Sequence, residues 1–75
     1  MNVKRTIKQV LKKQHEQGVY SKIFSKEAEV IIGDNMDKIA KIAIEDEDIE
    51  NYLKYQAEDC VRTFLLRAKV DIKEN

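Results

Sequence analysis

Few residues in this chain have the type and spacing that catalysis requires. His15 is the only histidine, and its neighbours along the sequence include Lys12, Lys13 and Glu16. In covalent catalysis a histidine base acts on a nucleophile held beside it, and no serine or cysteine is evidently placed to serve. We interpret His15 as a solvated side chain near the C-terminal end of a helix, where positive charge is favourable. The sequence therefore predicts no catalytic residues and no enzymatic activity.

Metal and cofactor sites are equally hard to build from these residues. One cysteine, Cys60, and one histidine cannot close a zinc site by themselves. The acidic run at 45–48 carries oxygen ligands, but an EF-hand loop also needs a central glycine, and none occurs from residue 45 to 50. Gly18 and Gly33 are the only glycines, which excludes a glycine-rich phosphate loop. We predict no metal, no cofactor and no small-molecule substrate, and we interpret the acidic run as a helix cap.

Charge is distributed unevenly, although the formal net charge is zero. Residues 1–26 hold seven lysines and arginines against one acid, residues 27–59 hold three against eleven, and the remainder holds four against two. The chain thus has a basic front, +6, and an acidic middle, −8. Asymmetry of this kind usually concerns partners or self-association rather than the fold.

The basic front offers one candidate nucleic-acid contact. Four cations at helical spacing could meet phosphates or an acidic protein partner: Lys4, Arg5, Lys8 and Lys12. The segment 26–44 also has the outline of a helix-turn-helix. Its second helix, however, carries Asp37, Lys38 and Lys41, with no arginine, asparagine or glutamine to read bases. Sequence-independent nucleic-acid binding through the first helix is therefore the alternative function.

These groups lie on a pattern that is helical throughout. Apolar residues recur every three or four positions, which predicts an all-α single domain over residues 1–75. We expect three to four helices, at about 3–17, 21–32, 35–45 and 48–70. Gly18 is placed for a left-handed C-terminal cap, and Ser21 or Ser25 for the following N-cap. The next break falls at 33–35, where an aspartate or asparagine oxygen caps the third helix; alternatively, the second and third helices run on through Gly33.

The predicted helix at 48–70 carries the longest apolar pattern, and we expect it to be continuous and to form one wall of the core. Its inward residues are Ile49, Tyr52, Leu53, Ala57, Cys60, Val61, Phe64, Leu65 and Ala68. On this face Cys60 is interpreted as a buried, unreactive thiol. A chain of 75 residues has a thin core, and with no disulfide or metal to reinforce it, self-association is the remaining means of stabilisation.

A second, narrower stripe lies on the outer side of the same predicted helix. Its members are Tyr52, Tyr55, Asp59, Arg62, Leu66 and Val70. A long helix in a small bundle has neighbours on two sides, which is one explanation. The other is a partner or dimer interface, since tyrosine and arginine are enriched at interface hot spots. In a two-fold dimer Arg62 could then meet Asp59 of the second copy.

We therefore hypothesise a small non-enzymatic protein–protein interaction module, acting as an adaptor, inhibitor or regulatory subunit and homodimeric through the long C-terminal helix. Its partner is another protein, its own copy or both. No apolar run exceeds three residues, so neither a signal peptide nor a membrane span is expected. A single cysteine on an apolar face fits a reducing, cytoplasmic setting.

Overall fold

Every regular element in the described part of the chain is a helix. The computed structural model describes the backbone of residues 3–72 and the side chains of residues 5–72. The all-α prediction is confirmed, but the described residues form six helices rather than three or four. They are α1 (Val3–Glu16), α2 (Val19–Ile23), α3 (Lys26–Asp34), α4 (Met36–Glu45), α5 (Ile49–Tyr55) and α6 (Glu58–Arg67).

Gly18 ends α1 in the manner that its position predicts. Its φ of 71° lies in the left-handed region, and its N–H donates to the carbonyl of His15 at 3.1 Å. A side chain at this φ is strained, so glycine suits the turn. The chain therefore reverses tightly enough for α2 to start at Val19 and pack against α1.

The single helix expected at 21–32 is wrong, because the chain forms two helices there. Phe24 leaves helical geometry, with φ −118° and ψ −84°, and Ser25 is extended. Ser25 Oγ accepts the N–H of Ala28 at 3.0 Å, so this serine is the N-cap of α3. Ser21 instead donates its hydroxyl to the Gly18 carbonyl at 2.9 Å.

Gly33 does not end a helix, since α3 continues through it to Asp34. The break comes at Asn35, whose N–H donates to the carbonyls of Ile31 and Ile32 at 3.2 and 3.1 Å. The Asn35 side chain also donates to the Ile31 carbonyl, at 2.8 Å. The helix that follows, α4, is therefore separate from α3. The expected cap of this helix by a side-chain oxygen is wrong, because Asn35 closes α3 and makes no side-chain cap bond to α4.

The continuous helix expected at 48–70 is also wrong. Gln56 is left-handed, with φ 50°, and Ala57 is extended, so α5 and α6 are separate helices. A straight helix of that length would span about 34 Å, as long as the whole molecule at 34 Å. Because the chain bends at Gln56, Tyr52 of α5 and Phe64 of α6 meet inside, edge to face, with ring centroids 5.2 Å apart.

All six helices, or the turns that end them, contribute to one core, and α1 packs most extensively on α4. The inward face predicted for the C-terminal region is confirmed for Tyr52, Val61, Phe64, Leu65 and Ala68, all of them buried. The remaining buried apolar residues are Ile7, Leu11, Tyr20, Phe24, Ala28, Ile32, Ile39, Ala40, Ala43 and Val70. Each large side chain removed from water in this way contributes about 1.5–3 kcal/mol.

Candidate interaction surface

The six residues of the predicted outer stripe fall into three kinds of surroundings. Tyr55 and Leu66 are 66% and 78% exposed, and Asp59 is also exposed. Arg62 is half-buried, and Val70 is buried at the edge of the core. Tyr52 is fully buried, so it does not belong to the surface on which the sequence pattern placed it. The stripe is also divided, because the turn at Gln56 separates Tyr55 from the residues of α6.

Leu66 projects beside a shallow groove of about 290 Å³ at the C-terminal end of α6. Arg62, Val70, Asp71 and Ile72 also line it, and an adjoining hollow adds Lys69. We call the set Arg62, Leu66, Lys69, Val70 and Ile72 the Leu66 patch. It combines an exposed leucine, a half-buried isoleucine and two cations, and the exposed Asp71 lines both hollows beside it.

A left-handed turn builds the Leu66 patch. Lys69 has φ 56°, the Val70 N–H donates to the Leu65 carbonyl at 3.0 Å, and the Lys69 N–H donates to the Leu66 carbonyl at 3.1 Å. These bonds are those of a Schellman motif, in which glycine is the usual left-handed residue. The turn returns the chain toward the helix, so that Val70 enters the core and Ile72 packs at its edge.

Arg62 is held by its own chain. Its guanidinium contacts Glu58 Oε1 at 2.6 Å and Asp59 Oδ1 at 3.3 Å. Its central carbon also lies 5.2 Å from the centroid of the Phe24 ring, within the range of a cation–π contact. Arg62 thus covers the core and neutralises the first turn of α6, so pairing with Asp59 of a second copy would compete with these contacts.

Tyr52 is enclosed because it belongs to a buried polar network. Gln14 Oε1 accepts hydrogen bonds from the hydroxyls of both Tyr52 and Tyr20, each at 2.7 Å. The amide nitrogen of Gln14 donates to Gln56 Oε1 at 3.2 Å. Removal from water raises the pKa of Tyr52 to about 12 and also raises the pKa of Tyr20. The network therefore joins α1, α2 and α5 with neutral groups whose hydrogen bonds are satisfied.

One signal for this network is present in the sequence. Gln14 follows Ile7 and Leu11 on the inward face of α1, where an amide needs partners to be buried. The partners, Tyr20 and Tyr52, stand six and 38 positions away. Tyr20 and Tyr52 can be identified as these partners only once the packing of the helices is known.

His15 lies in the last turn of α1, as interpreted, but it is packed against α3 rather than fully solvated. Its Nε2 donates to the Glu29 carbonyl of α3 at 3.0 Å, and the residue is half-buried. Gly33 permits this approach, because a Cβ there would lie 2.7 Å from the same nitrogen. His15 therefore connects α1 to α3 beside Gly33, the position of α3 that has no side chain.

The predicted nucleic-acid face is exposed but not uniformly basic. Arg5, Lys8 and Lys12 are all exposed, whereas the Lys4 side chain lies outside the described residues. Lys8 Nζ contacts Asp37 Oδ1 of α4 at 2.5 Å. An acid beside a cation weakens its attraction for phosphate, so this face is less favourable to nucleic acid than its sequence indicates.

The acidic turn before α5 supports the chain locally. Asp46 is buried, and its Oδ1 accepts the N–H of Asp48 at 2.8 Å. Its Oδ2 lies 3.3 Å from an Arg67 nitrogen, an ion-pair contact that lacks hydrogen-bond geometry. Asp48 precedes α5 without a side-chain cap bond. Within residues 3–72 no group of three or more histidine, cysteine or acidic side chains is arranged to hold a metal.

Cys60 is only half-buried, although burial together with nearby aspartates raises the pKa of its thiol. No described helix has the length and apolar character that crossing a bilayer requires. What the fold and this surface define is a small all-α protein with one exposed apolar patch on its last helix. Comparison with known protein families, with curated proteins and with solved structures finds no match to this chain.

Proposed function

We propose that this chain is a non-enzymatic protein–protein interaction module that acts as an adaptor, inhibitor or regulatory subunit, and that it forms a homodimer through the outer face of α6. The observation that carries the proposal is Leu66. It is 78% exposed and adjoins the half-buried Ile72. Leu66, Val70 and Ile72 line the shallow groove together, and contiguous apolar surface, unlike a single exposed leucine, is typical of a contact site.

The residues proposed for the interface are Tyr55, Asp59, Arg62, Leu66 and Val70, without Tyr52. Asp59, Arg62 and Leu66 share one face of α6, because they are three and four positions apart. A two-fold axis near Leu66 would place the two leucines together and surround them with charged groups of both signs. A stable interface of standard size buries about 800 Å² on each partner. For this chain that area would be roughly a sixth of its accessible surface of 5175 Å².

Sedimentation equilibrium from micromolar to millimolar concentration tests this proposal. We expect a reversible dimer whose dissociation constant rises at least about tenfold in Leu66→Glu, since the substitution places a charge in an apolar contact. Glutamate is a good helix former, so the monomer should keep its fold. Tyr55→Glu then shows whether the interface extends to α5.

The matched control is Val30→Glu, which places the same charge at an exposed apolar residue of α3. It should leave the monomer–dimer equilibrium unchanged. An apolar interface should also resist added salt, whereas a contact between the basic front and the acidic middle would weaken. A wild-type chain that stays monomeric at every concentration would contradict the dimer proposal.

The alternative proposal, nucleic-acid binding by α1, is supported by the exposure of Arg5, Lys8 and Lys12. A mobility-shift assay at low salt, with those residues and Lys4 replaced by glutamine, tests it. The control replaces Lys22 and Lys26, two exposed lysines on α2 and α3. Loss of retardation only in the α1 variant would support this alternative, and absence of retardation in the wild type would exclude it.

A further inference from the structure

A second surface, separate from the Leu66 patch, lies between α1 and the junction of α3 with α4. It is a groove of about 620 Å³ that is open to solvent. Its apolar side chains are Val30 and Met36, and its lining also includes His15 and Gly33. Val30 is 62% exposed, so this groove presents apolar surface that the chain itself does not cover. It shares no residue with the Leu66 patch.

Carboxylates outnumber cations around this groove. The charged residues that line it are Lys8, Lys12, Glu16, Glu29, Asp34 and Asp37. With His15 neutral, the formal charge of the lining is −2. The two lysines lie on α1, and Lys8 is paired with Asp37 across the groove. Apolar surface with an excess of negative charge at its margin complements an apolar stripe flanked by cations.

We propose that this groove binds a cationic amphipathic helix of a partner protein. An apolar side chain of the bound helix would cover Val30 and Met36, and its lysines or arginines would face Glu29 and Asp34. Grooves between helices bind partner helices through apolar residues at i, i+3, i+4 and i+7. Methionine suits such a site because its flexible thioether adapts to the bound side chain. In the dimer proposed above, on which this last step rests, each copy would present one groove, so that two partner helices would be joined as an adaptor requires.

The test uses a synthetic helical peptide with leucines at i, i+3, i+4 and i+7 and lysines at the other positions, added to ¹⁵N-labelled protein at low salt. We expect its amide shift changes to concentrate in residues 8–16 and 29–37, the two segments that contain the lining residues of the groove. A matched peptide with glutamate in place of lysine should give none. Val30→Ser should weaken binding about tenfold, because it removes most of the apolar contact.

Leu66→Ser, compared with the wild type at a concentration where both are monomeric, is the matched control, since it removes an exposed apolar side chain from the other surface. It should leave the affinity of the lysine peptide unchanged. Three results would overturn the proposal: equal binding of the glutamate peptide, shift changes concentrated at the acidic turn 45–48, or equal loss of affinity in the Val30 and Leu66 variants. Absence of any binding at low salt would overturn it as well, whereas the dimer is tested separately by sedimentation.

Discussion

Tyr52 and Tyr55 are three residues apart on the same short helix, yet their surroundings are opposite. Tyr52 is fully buried, with its hydroxyl on Gln14 and its ring against Phe64. Tyr55 is 66% exposed, and the Lys54 ammonium lies 5.2 Å from its ring centroid. Helical spacing places both on one face of α5. Burial here is therefore decided by which tertiary partners reach each turn of the helix, and not by the face alone.

The largest expected difference in stability between these two positions comes from removing each ring in turn. Tyr52→Ala leaves a cavity and deprives Gln14 of a donor, which should cost about 3–5 kcal/mol. That is comparable with the whole stability of a domain this small, so the variant should be largely unfolded. Tyr55→Ala should change the free energy of unfolding by no more than about 0.5 kcal/mol. Urea and thermal unfolding followed by circular dichroism measure both, and similar transitions for the two variants would show that Tyr52 is not a core residue.

Alkaline pH tests the same contrast without opening a cavity. Burial raises the pKa of Tyr52 to about 12 and raises that of Tyr20, whereas an unfolded tyrosine ionises near 10. For an acid whose pKa is higher in the folded state, stabilisation is complete below the unfolded pKa and is lost as pH rises through the folded pKa. Stability should therefore fall above pH 10, by about 1 kcal/mol per tyrosine over the first pH unit.

Substitution by phenylalanine separates this effect from the titration of other groups. Tyr52→Phe should cost about 1 kcal/mol at neutral pH, because Gln14 Oε1 keeps its bond from Tyr20. Above pH 10 the variant should lose stability less steeply than the wild type. Urea unfolding from pH 8 to pH 11 decides the matter, and equal slopes in the Tyr52 variant and wild type would contradict burial of the hydroxyl.

Local signals predict two of the turns in the N-terminal half of this fold. The left-handed glycine at 18 is predicted, and the serine cap at 25 is one of two candidates, because both act through their immediate neighbours. The break at Gln56 has no such signal, because lysine, glutamine, alanine and glutamate around it all favour helix. Its side-chain partner is Gln14, 42 positions away. A turn that depends on such a bond becomes predictable only after the helices are placed.

The candidate surface was predictable to a similar extent. Hydrophobic periodicity predicts that Leu66 and Tyr55 lie outside the main apolar arc, and both are exposed. It places Tyr52 on both the inward face and the outer stripe, because periodicity does not show whether the hydroxyl of a tyrosine has a buried partner. Gln14, the other polar residue on an inward face, supplies that partner. What binds to the exposed residues leaves no periodic mark in the sequence, so the interface stays a proposal.

His15 is half-buried and so lies between Tyr52 and Tyr55 in exposure. Its close approach to Gly33 predicts a smaller effect on stability, in which the two residues are coupled. Replacing a helical glycine by alanine normally stabilises by about 1 kcal/mol, but a Cβ at Gly33 would lie 2.7 Å from His15 Nε2. Gly33→Ala should therefore destabilise the wild type by about 1 kcal/mol and stabilise the His15→Ala variant by a similar amount. A double-mutant cycle in urea measures this coupling. The same effect of Gly33→Ala in both backgrounds would show that the contact is too loose to matter.

The smallest effect concerns the two left-handed residues that end α5 and α6. Lys69, at φ 56°, is exposed, whereas Gln56, at φ 50°, accepts a hydrogen bond from Gln14. Glycine relieves left-handed strain of about 1 kcal/mol but gains entropy in the unfolded chain, so Lys69→Gly should stabilise by only about 0.5 kcal/mol. Gln56→Gly should gain the same relief of backbone strain but lose the hydrogen bond from Gln14, so its free energy of unfolding should be unchanged or lower. Thermal unfolding of the two variants side by side measures the difference. Equal stabilisation by both would mean that the turn between α5 and α6 needs only a permissive backbone, and that the buried network reaches no further than Tyr52.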